Sequence, residues 1–341
     1  MSSQRERGGR PNPAERREAF SAGRTASGRS VSEESQAQLR DVQLQLGDLQ
    51  ESLLLTPVQD DLDEVRTTLT LLPTEIERLR KRGYVFRSFL ERKVGVLTRQ
   101  WEEASHDVAR EITRRTRELQ READEAESAL HRAMGGGTVP ISRAQAAVEA
   151  LEQKVEGAHS AVSAMYDALQ MNVTQTKSQV EEIGWLLDQL DQASFRLHPA
   201  EDPVAACKAQ FLETKKEGPQ GVLYLTDERL IFEQKEKKAT KKVLFIATEK
   251  ETVQELILSV PVGQIEKVET SQKGLLGRKE MMALRFAPEA DLSGALLRLR
   301  GADNEAWAAL IGRVQSGEIA KERSRPKEAA VLETVQDVPT K

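Results

Sequence analysis

The chain has 341 residues, 31% of them charged and only 4% aromatic, with a formal net charge of −5. That length exceeds one ordinary core, and that composition suits long, exposed helices better than a large globular enzyme. The acidic balance gives no reason to expect nucleic acid, and a single cysteine, Cys207, excludes a disulfide within the chain and suits a reducing compartment.

Residues 1–33 are rich in Arg, Gly, Ser and Pro and hold one aromatic, Phe20. They have too little apolar surface to offset the entropy of ordering, so a disordered basic tail is expected. No apolar run reaches the ~18 residues of a membrane span. The N-terminus lacks an apolar signal core, so cytoplasmic residence follows by default.

From 34 to 199 the chain reads as helical. Leu39, Val42, Leu46, Leu49 and Leu53 step by three and four along one stripe, which resumes after Thr56-Pro57 through Leu62, Val65, Leu69 and Leu72. Pro73 predicts a second break or kink before Ile76 and Leu79. A second helix runs from Tyr84 to about Met134, on Phe89, Leu90, Val94, Leu97, Val108, Ile112, Leu119 and Leu130. Gly135, Gly136 and Gly137 end it, and the turn at 135–140 leads into a third helix. There Val148, Leu151, Val155, Ala158, Val162, Met165 and Leu169 form the most regular stripe. It passes through Asn172, Thr176 and Gln179 and recovers at Ile183, Leu186 and Leu190. The polar layers either set register or mark a rotation of the stripe. About fifty residues without a strong breaker predict one helix of roughly 75 Å. A short loop between two striped helices predicts an antiparallel coiled-coil hairpin, with Trp185 near Phe89 and Leu90. The helix over 36–82 packs on this hairpin or on a second chain, and self-association through the coiled coil is expected.

After Pro199 the pattern changes to short β-branched or alternating runs separated by turn residues. Among them are Gly221 to Leu225, Arg229 to Phe232, Val243 to Ile246, Leu256 to Val260, Met282 to Phe286 and Ala295 to Leu299. Asp303 is a good N-cap for a closing helix carrying Trp307, Leu310, Ile311 and Val314 on one face. The fold class expected is α+β and multidomain: long antiparallel helices, then a bent antiparallel sheet over 200–318 capped by a helix, then a disordered tail over 319–341.

The run Gly221-Val222-Leu223-Tyr224-Leu225-Thr226-Asp227-Glu228-Arg229-Leu230-Ile231-Phe232 resembles the hairpin signature of GRAM domains and bacterial PH-like domains. Val260-Pro261-Val262-Gly263-Gln264-Ile265 resembles a later segment of such domains, and Trp307 resembles the helix Trp of PH domains. The resemblance covers about a third of the chain. It implies binding, to anionic membrane lipid or to a protein segment, and no catalysis; it does not choose the ligand.

Two groups are candidate contacts. Lys235, Lys237, Lys238, Lys241 and Lys242 crowd one stretch against only Glu236, and each cation near an anionic membrane is worth about 1 kcal/mol. Lys273, Leu275, Leu276, Arg278 and Lys279 put two leucines at a glycine-flanked tip among cations, suited to a bilayer interface. For each, the plainer alternative is a solvated loop or a hairpin whose leucines fold back on the core. Catalytic, cofactor and metal sites are not expected. His106, His131 and His159 fall at different heights of the hairpin, and Cys207 has no histidine near it in sequence. The function expected is a cytoplasmic adaptor or scaffold, oligomerising through its helices and docking peripherally to the inner face of a membrane or to a partner. A purely protein-binding structural protein is the alternative. The order of helices and PH-like domain also resembles BAR-PH proteins, but 20 basic against 29 acidic residues over 31–199, a difference of −9, oppose a membrane-facing helical surface.

Overall fold

The computed structural model describes the backbone of residues 13–135, 138–212, 218–243, 246–273 and 279–324. Side chains are described from residue 33 onward within these spans, except over 237–252 and at 273. The chain divides into two compact units, residues 1–65 with 100–169 and residues 66–99 with 170–341. The division does not fall at residue 199, because the helix ends nearest the sheet share its core.

The first unit is helical. Helix α1 spans Pro13–Ser52, α2 Thr56–Lys81, α3 Phe89–Ala133 and α4 Thr138–Ser163, with α2 beyond residue 65 and α3 before residue 100 belonging to the second unit. Val42, Leu46 and Leu53 are buried in one cluster with Leu119, Ala123 and Leu130 of α3 and Val148, Leu151 and Val155 of α4. Each such side chain removed from water contributes about 1.5–3 kcal/mol. Helix α1 packs against α4 of the same chain, so the first striped helix has its partner within the chain. Its start at Pro13 lies inside the segment expected to be disordered; Pro suits a first helical turn, and Ala14, Glu15 and Glu18 favour the turns beyond it.

The helix expected to run unbroken beyond the glycine turn is two helices, α4 and α5, the latter Asp167–Asp191. At the break, the amides of Met165 and Tyr166 bond to the carbonyls of Val162 and Ser163, both at 3.0 Å. These three-residue closures tighten the helix and advance its stripe by one position. Tyr166 is buried where Met165 was expected, and its hydroxyl lies 3.3 Å from Asp61 Oδ2. The α5 stripe accordingly runs Val173, Thr176, Val180 and Ile183, not through Asn172 and Gln179. Of the two readings of the polar layers, rotation is the one realised. Thr176 alone sits in the core, its hydroxyl returned to the Asn172 carbonyl at 2.7 Å. Pro73 does not end α2, which continues through it.

The second unit holds a seven-stranded antiparallel sheet in the order β4-β3-β2-β1-β7-β6-β5. The strands are β1 Pro203–Phe211, β2 Gln220–Thr226, β3 Arg229–Val243, β4 Ile246–Pro261, β5 Ile265–Lys273, β6 Lys279–Phe286 and β7 Gly294–Arg300. Helix α6, Asn304–Gln315, closes it, and Asp303 caps α6 by accepting from the Ala306 amide at 2.7 Å. An antiparallel sheet closed by a C-terminal helix is the arrangement expected over this region. One core joins Leu223, Phe232, Leu297, Trp307 and Ile311 of this module to Ile76 and Leu79 of α2, Tyr84, Phe86 and Leu90, and Ile183 and Leu186 of α5.

The α2–α3 connection is built around Arg80. Its guanidinium donates to the carbonyls of Tyr84 at 2.9 Å, Phe86 at 2.5 Å and Arg87 at 3.1 Å, and to Glu91. These bonds hold Arg87 at a φ of 53°, a conformation non-glycine residues seldom adopt. The segment to Ser324, expected to be disordered from 319, packs here. Ile319 is buried, the Ser324 amide bonds to the Val85 carbonyl, and Arg323 lies 4.9 Å over the Phe86 ring while pairing with Asp202 and Asp227.

Gly221 sits against β3, where an added Cβ would fall inside the contact radius of the Glu233 carbonyl oxygen. Gly221→Ala is therefore expected to destabilise this unit by about 2 kcal/mol, the usual effect of overpacking. Thermal unfolding followed by circular dichroism checks this; an unchanged midpoint contradicts the close packing of β2 on β3.

Candidate binding surfaces

The first basic group does not lie in a loop between strands. Lys235 to Lys242 belong to β3. Strand β2 pairs with β3 only as far as Gly221 opposite Gln234, whereas β3 and β4 remain paired out to Val243 opposite Ile246. A two-stranded arm therefore extends past the end of β2. Its register sets Lys238 opposite Glu251 and Lys241 opposite Glu249. Lys237 faces Thr252, Lys242 faces Ala247, and Lys250 faces Ala239. The side chains of Lys237, Lys238, Lys241 and Lys242 lie outside the described residues. Lys235 is described, and its ammonium donates to the side-chain carbonyls of Gln189 at 3.2 Å and Gln192 at 3.0 Å. It fastens the end of α5 to the sheet and is not a free surface cation.

The second group lies elsewhere. Strand directions place the β1–β2 and β3–β4 turns at one end of the sheet and the β5–β6 turn at the other. Lys273 and Lys279 are directly opposed in the β5–β6 register, and Lys279 is exposed. Leu275, Leu276 and Arg278 lie outside the described residues, as does the side chain of Lys273.

Sequence reasoning missed the polar residues that hold the sheet to its surroundings. Glu233 is fully buried. Its carboxylate accepts from the Ser194 amide at 2.6 Å, Gln254 Nε2 at 2.9 Å and the Tyr224 hydroxyl at 3.3 Å. Phe195 meets the Tyr224 ring edge-on, with centroids 5.2 Å apart. Burial, with the charge of Glu233 beside it, pushes the Tyr224 hydroxyl well above its usual range. A glutamate in an alternating strand normally reads as a solvent-facing residue, so only the tertiary structure exposes this role.

His198, Glu201 and Glu228 converge within 4.8 Å, the one metal-like grouping among the described residues. The bonds already made leave no room for an ion. Glu201 accepts from the Thr226 hydroxyl at 2.6 Å, Arg229 Nε at 3.0 Å, Arg229 Nη2 at 2.7 Å and the His198 amide at 2.8 Å, which uses both oxygens fully. This cluster holds the β2–β3 turn, where Thr226 Oγ1 also accepts from the Arg229 amide at 2.8 Å as turn chemistry predicts. Cys207 is buried, which pushes its thiol far above the reactive range.

A cleft of about 990 Å³ opens between α5, the start of β1 and α6. Trp185, Leu186, Trp307 and Leu310 line its apolar wall, and Lys208 and Arg300 stand at its rim. These two cations are directly opposed across β1 and β7, both exposed, with no ion-pair partner among the described residues. A cavity of about 200 Å³ adjoins the cleft through Arg87, Val204, Leu310 and Arg313; it is also lined by Ile319, Glu322 and Gln179, whose Oε1 is buried without a hydrogen-bond partner.

Burial works to raise the Glu201 pKa, but hydrogen bonds from Arg229, Thr226 and the His198 amide outweigh it and hold the carboxyl below its usual value of 4.5. A depressed folded value means stability that is complete above about pH 4.5 and lost as pH falls below it. Glu201→Gln is expected to lower the unfolding temperature at pH 7, with the gap to wild type narrowing between pH 5 and pH 3. A gap that stays constant with pH would show that this carboxylate does not stabilise the fold through its charge.

No model of a known family matches the sequence, and no curated protein matches it. Solved structures similar to the chain include PH domains. The Vps36 N-terminal PH domain is 16% identical, covering 37% of this chain and 86% of its own, at a TM-score of 0.25. A pleckstrin homology domain from Shewanella amazonensis is 16% identical, covering 39% of this chain and 96% of its own, at a TM-score of 0.24. The Slm1 PH domain, solved with inositol-4-phosphate, is 11% identical, covering 33% and 94%, at a TM-score of 0.22.

Proposed function

We propose that this chain is a non-catalytic adaptor whose PH-like module docks on anionic membrane lipid headgroups through the β3–β4 arm. The observation that carries the reading is the register: it projects Lys237, Lys238, Lys241, Lys242 and Lys250 past the end of β2, against Glu249 and Glu251 on the same arm. An arm reaching beyond the neighbouring strand can meet a planar anionic surface ahead of the rest of the sheet. No described helix is long and apolar enough to cross a membrane, so attachment in this reading is peripheral. The absence of catalysis is supported by the full hydrogen bonding of Glu201 and the burial of Cys207. Oligomerisation is not needed by the proposal, because α1 already packs on α4 within the chain. A second reading, recognition of a protein segment, is favoured by the apolar cleft beside Trp185 and Trp307.

Co-sedimentation with phosphatidylcholine vesicles, with and without phosphatidylserine, separates the two. The chain is expected to sediment only with anionic vesicles and to be released by salt. At about 1 kcal/mol per charge, reversal of Lys237, Lys238, Lys241 and Lys242 to Glu should reduce binding by at least a thousandfold. Equal sedimentation of wild type and variant would rule out the arm.

A further inference from the structure

We propose that the free edge of β1, inside the cleft between α5 and α6, receives an acidic segment of a partner protein as an added strand in line with β7. The inference deepens the second reading above, recognition of a protein segment, and rests on it. Hydrogen-bond direction defines the edge. The Phe211 amide bonds to the Pro219 carbonyl on the β2 side, and the Leu212 amide bonds to the Leu296 carbonyl on the β7 side. Alternation along an antiparallel strand turns the N–H and C=O of Gln210, Lys208 and Ala206 toward the β7 side as well. Strand β7 supplies partners only as far as Arg300, opposite Lys208. At Gly301 the chain takes a φ of 69° and leaves the sheet toward α6. Ala206 therefore directs both backbone groups into the cleft it lines, and neither has a hydrogen-bond partner among the described residues. Two residues earlier, the Val204 carbonyl accepts from the Tyr84 hydroxyl at 3.3 Å, which closes that end. One open rung of the ladder remains between Arg300 and Tyr84.

The surroundings of this rung choose the occupant. Ala205, Ala302 and Ala309 line the cleft and leave it wide, while Trp185 of α5 and Leu310 of α6, both half-buried, offer apolar surface. Lys208 and Arg300, exposed and without ion-pair partners among the described residues, form the rung next to Ala206. Of the acids lining the cleft, Glu182 pairs with Arg87 at 3.3 Å and the Asp303 carboxylate holds the Ala306 amide. That leaves Glu181 against two free cations, so the cleft favours an acidic occupant. An acyl chain would cover the apolar wall but leave the backbone groups of Ala206 unmet. An extended peptide meets both, through main-chain hydrogen bonds to the edge and pockets for alternate side chains.

The test selects a displayed library of random peptides against the full chain. Enriched peptides are expected to be acidic, to carry aliphatic or aromatic residues at alternate positions, and to change tryptophan emission on binding, because two of the three tryptophans line the cleft. Ala206→Pro removes the N–H of the open rung. It is expected to weaken the best peptide at least tenfold and to leave the unfolding temperature unchanged, because that N–H has no ladder partner to lose. Lys208→Glu/Arg300→Glu, at exposed positions, should also weaken the peptide at least tenfold, and it decides the matter if the proline variant is unstable. A selection that enriches nothing on the wild type overturns the proposal together with the reading it rests on. Peptides that bind both variants as tightly as wild type, or that are basic, overturn the strand-edge site alone and leave recognition of a protein segment standing. Anionic vesicle binding that is lost in the Glu variant while peptide binding is kept would assign the two cations to a membrane and contradict the proposal.

Discussion

Tyr84, Phe86 and Leu186 leave water only by packing against the sheet, and the sheet completes its own core only by receiving them. The Tyr84 hydroxyl bonds to the Val204 carbonyl at 3.3 Å, and the Tyr224 hydroxyl points back at the Gln189 carbonyl. Helix ends and strands therefore share one apolar cluster instead of meeting as two finished domains. Much of the rest depends on this joint. Arg80 shapes the α2–α3 connection so that Tyr84 and Phe86 face the sheet, and Glu233 pins the stretch leaving α5. Arg323 stacks on Phe86 from outside, so the end of the described chain is tied to the same place.

That joint also fixes what surfaces remain for binding. Side chains of β2 and β3 such as Val222 and Glu233, on a face an alternating pattern would leave wet, are buried. Lys235 is drawn into the seal. Among the described residues, the cleft where β7 has ended and β1 runs on beside α5 stays open. A module whose sheet is fastened to helices holds such a feature in fixed orientation.

The sequence was most readable where a repeat has one period and one partner. The stripe of Val148, Leu151, Val155 and Val162 is buried as expected, and so are Val42, Leu46 and Leu53. Asp303 caps α6, and Thr226 organises the β2–β3 turn, because both act on backbone a few residues away. Local chemistry of that kind is written in neighbouring letters. The break at Met165 and Tyr166 was not, since neither Gly nor Pro marks it; it exists because Tyr166 finds a buried site reaching Asp61. Register was equally hidden. Read along one strand, the lysines of β3 are opposed only by Glu236, and the acids across from them, Glu249 and Glu251, belong to the following strand. Glu233 and Arg80 are charged residues doing interior work, which composition assigns to the surface.

The shared core is tested most directly by cutting it. Residues 200–341 expressed alone keep every strand and α6 but lose Tyr84, Phe86, Ile183 and Leu186. Exposure of Val204, Val222 and Tyr224 should leave this fragment without a cooperative thermal transition at the temperature where the full chain's sheet unfolds, and it should bind the dye ANS. A fragment that unfolds cooperatively at the unchanged temperature would contradict the account, because the sheet would then be a self-sufficient domain to which the helices are merely attached.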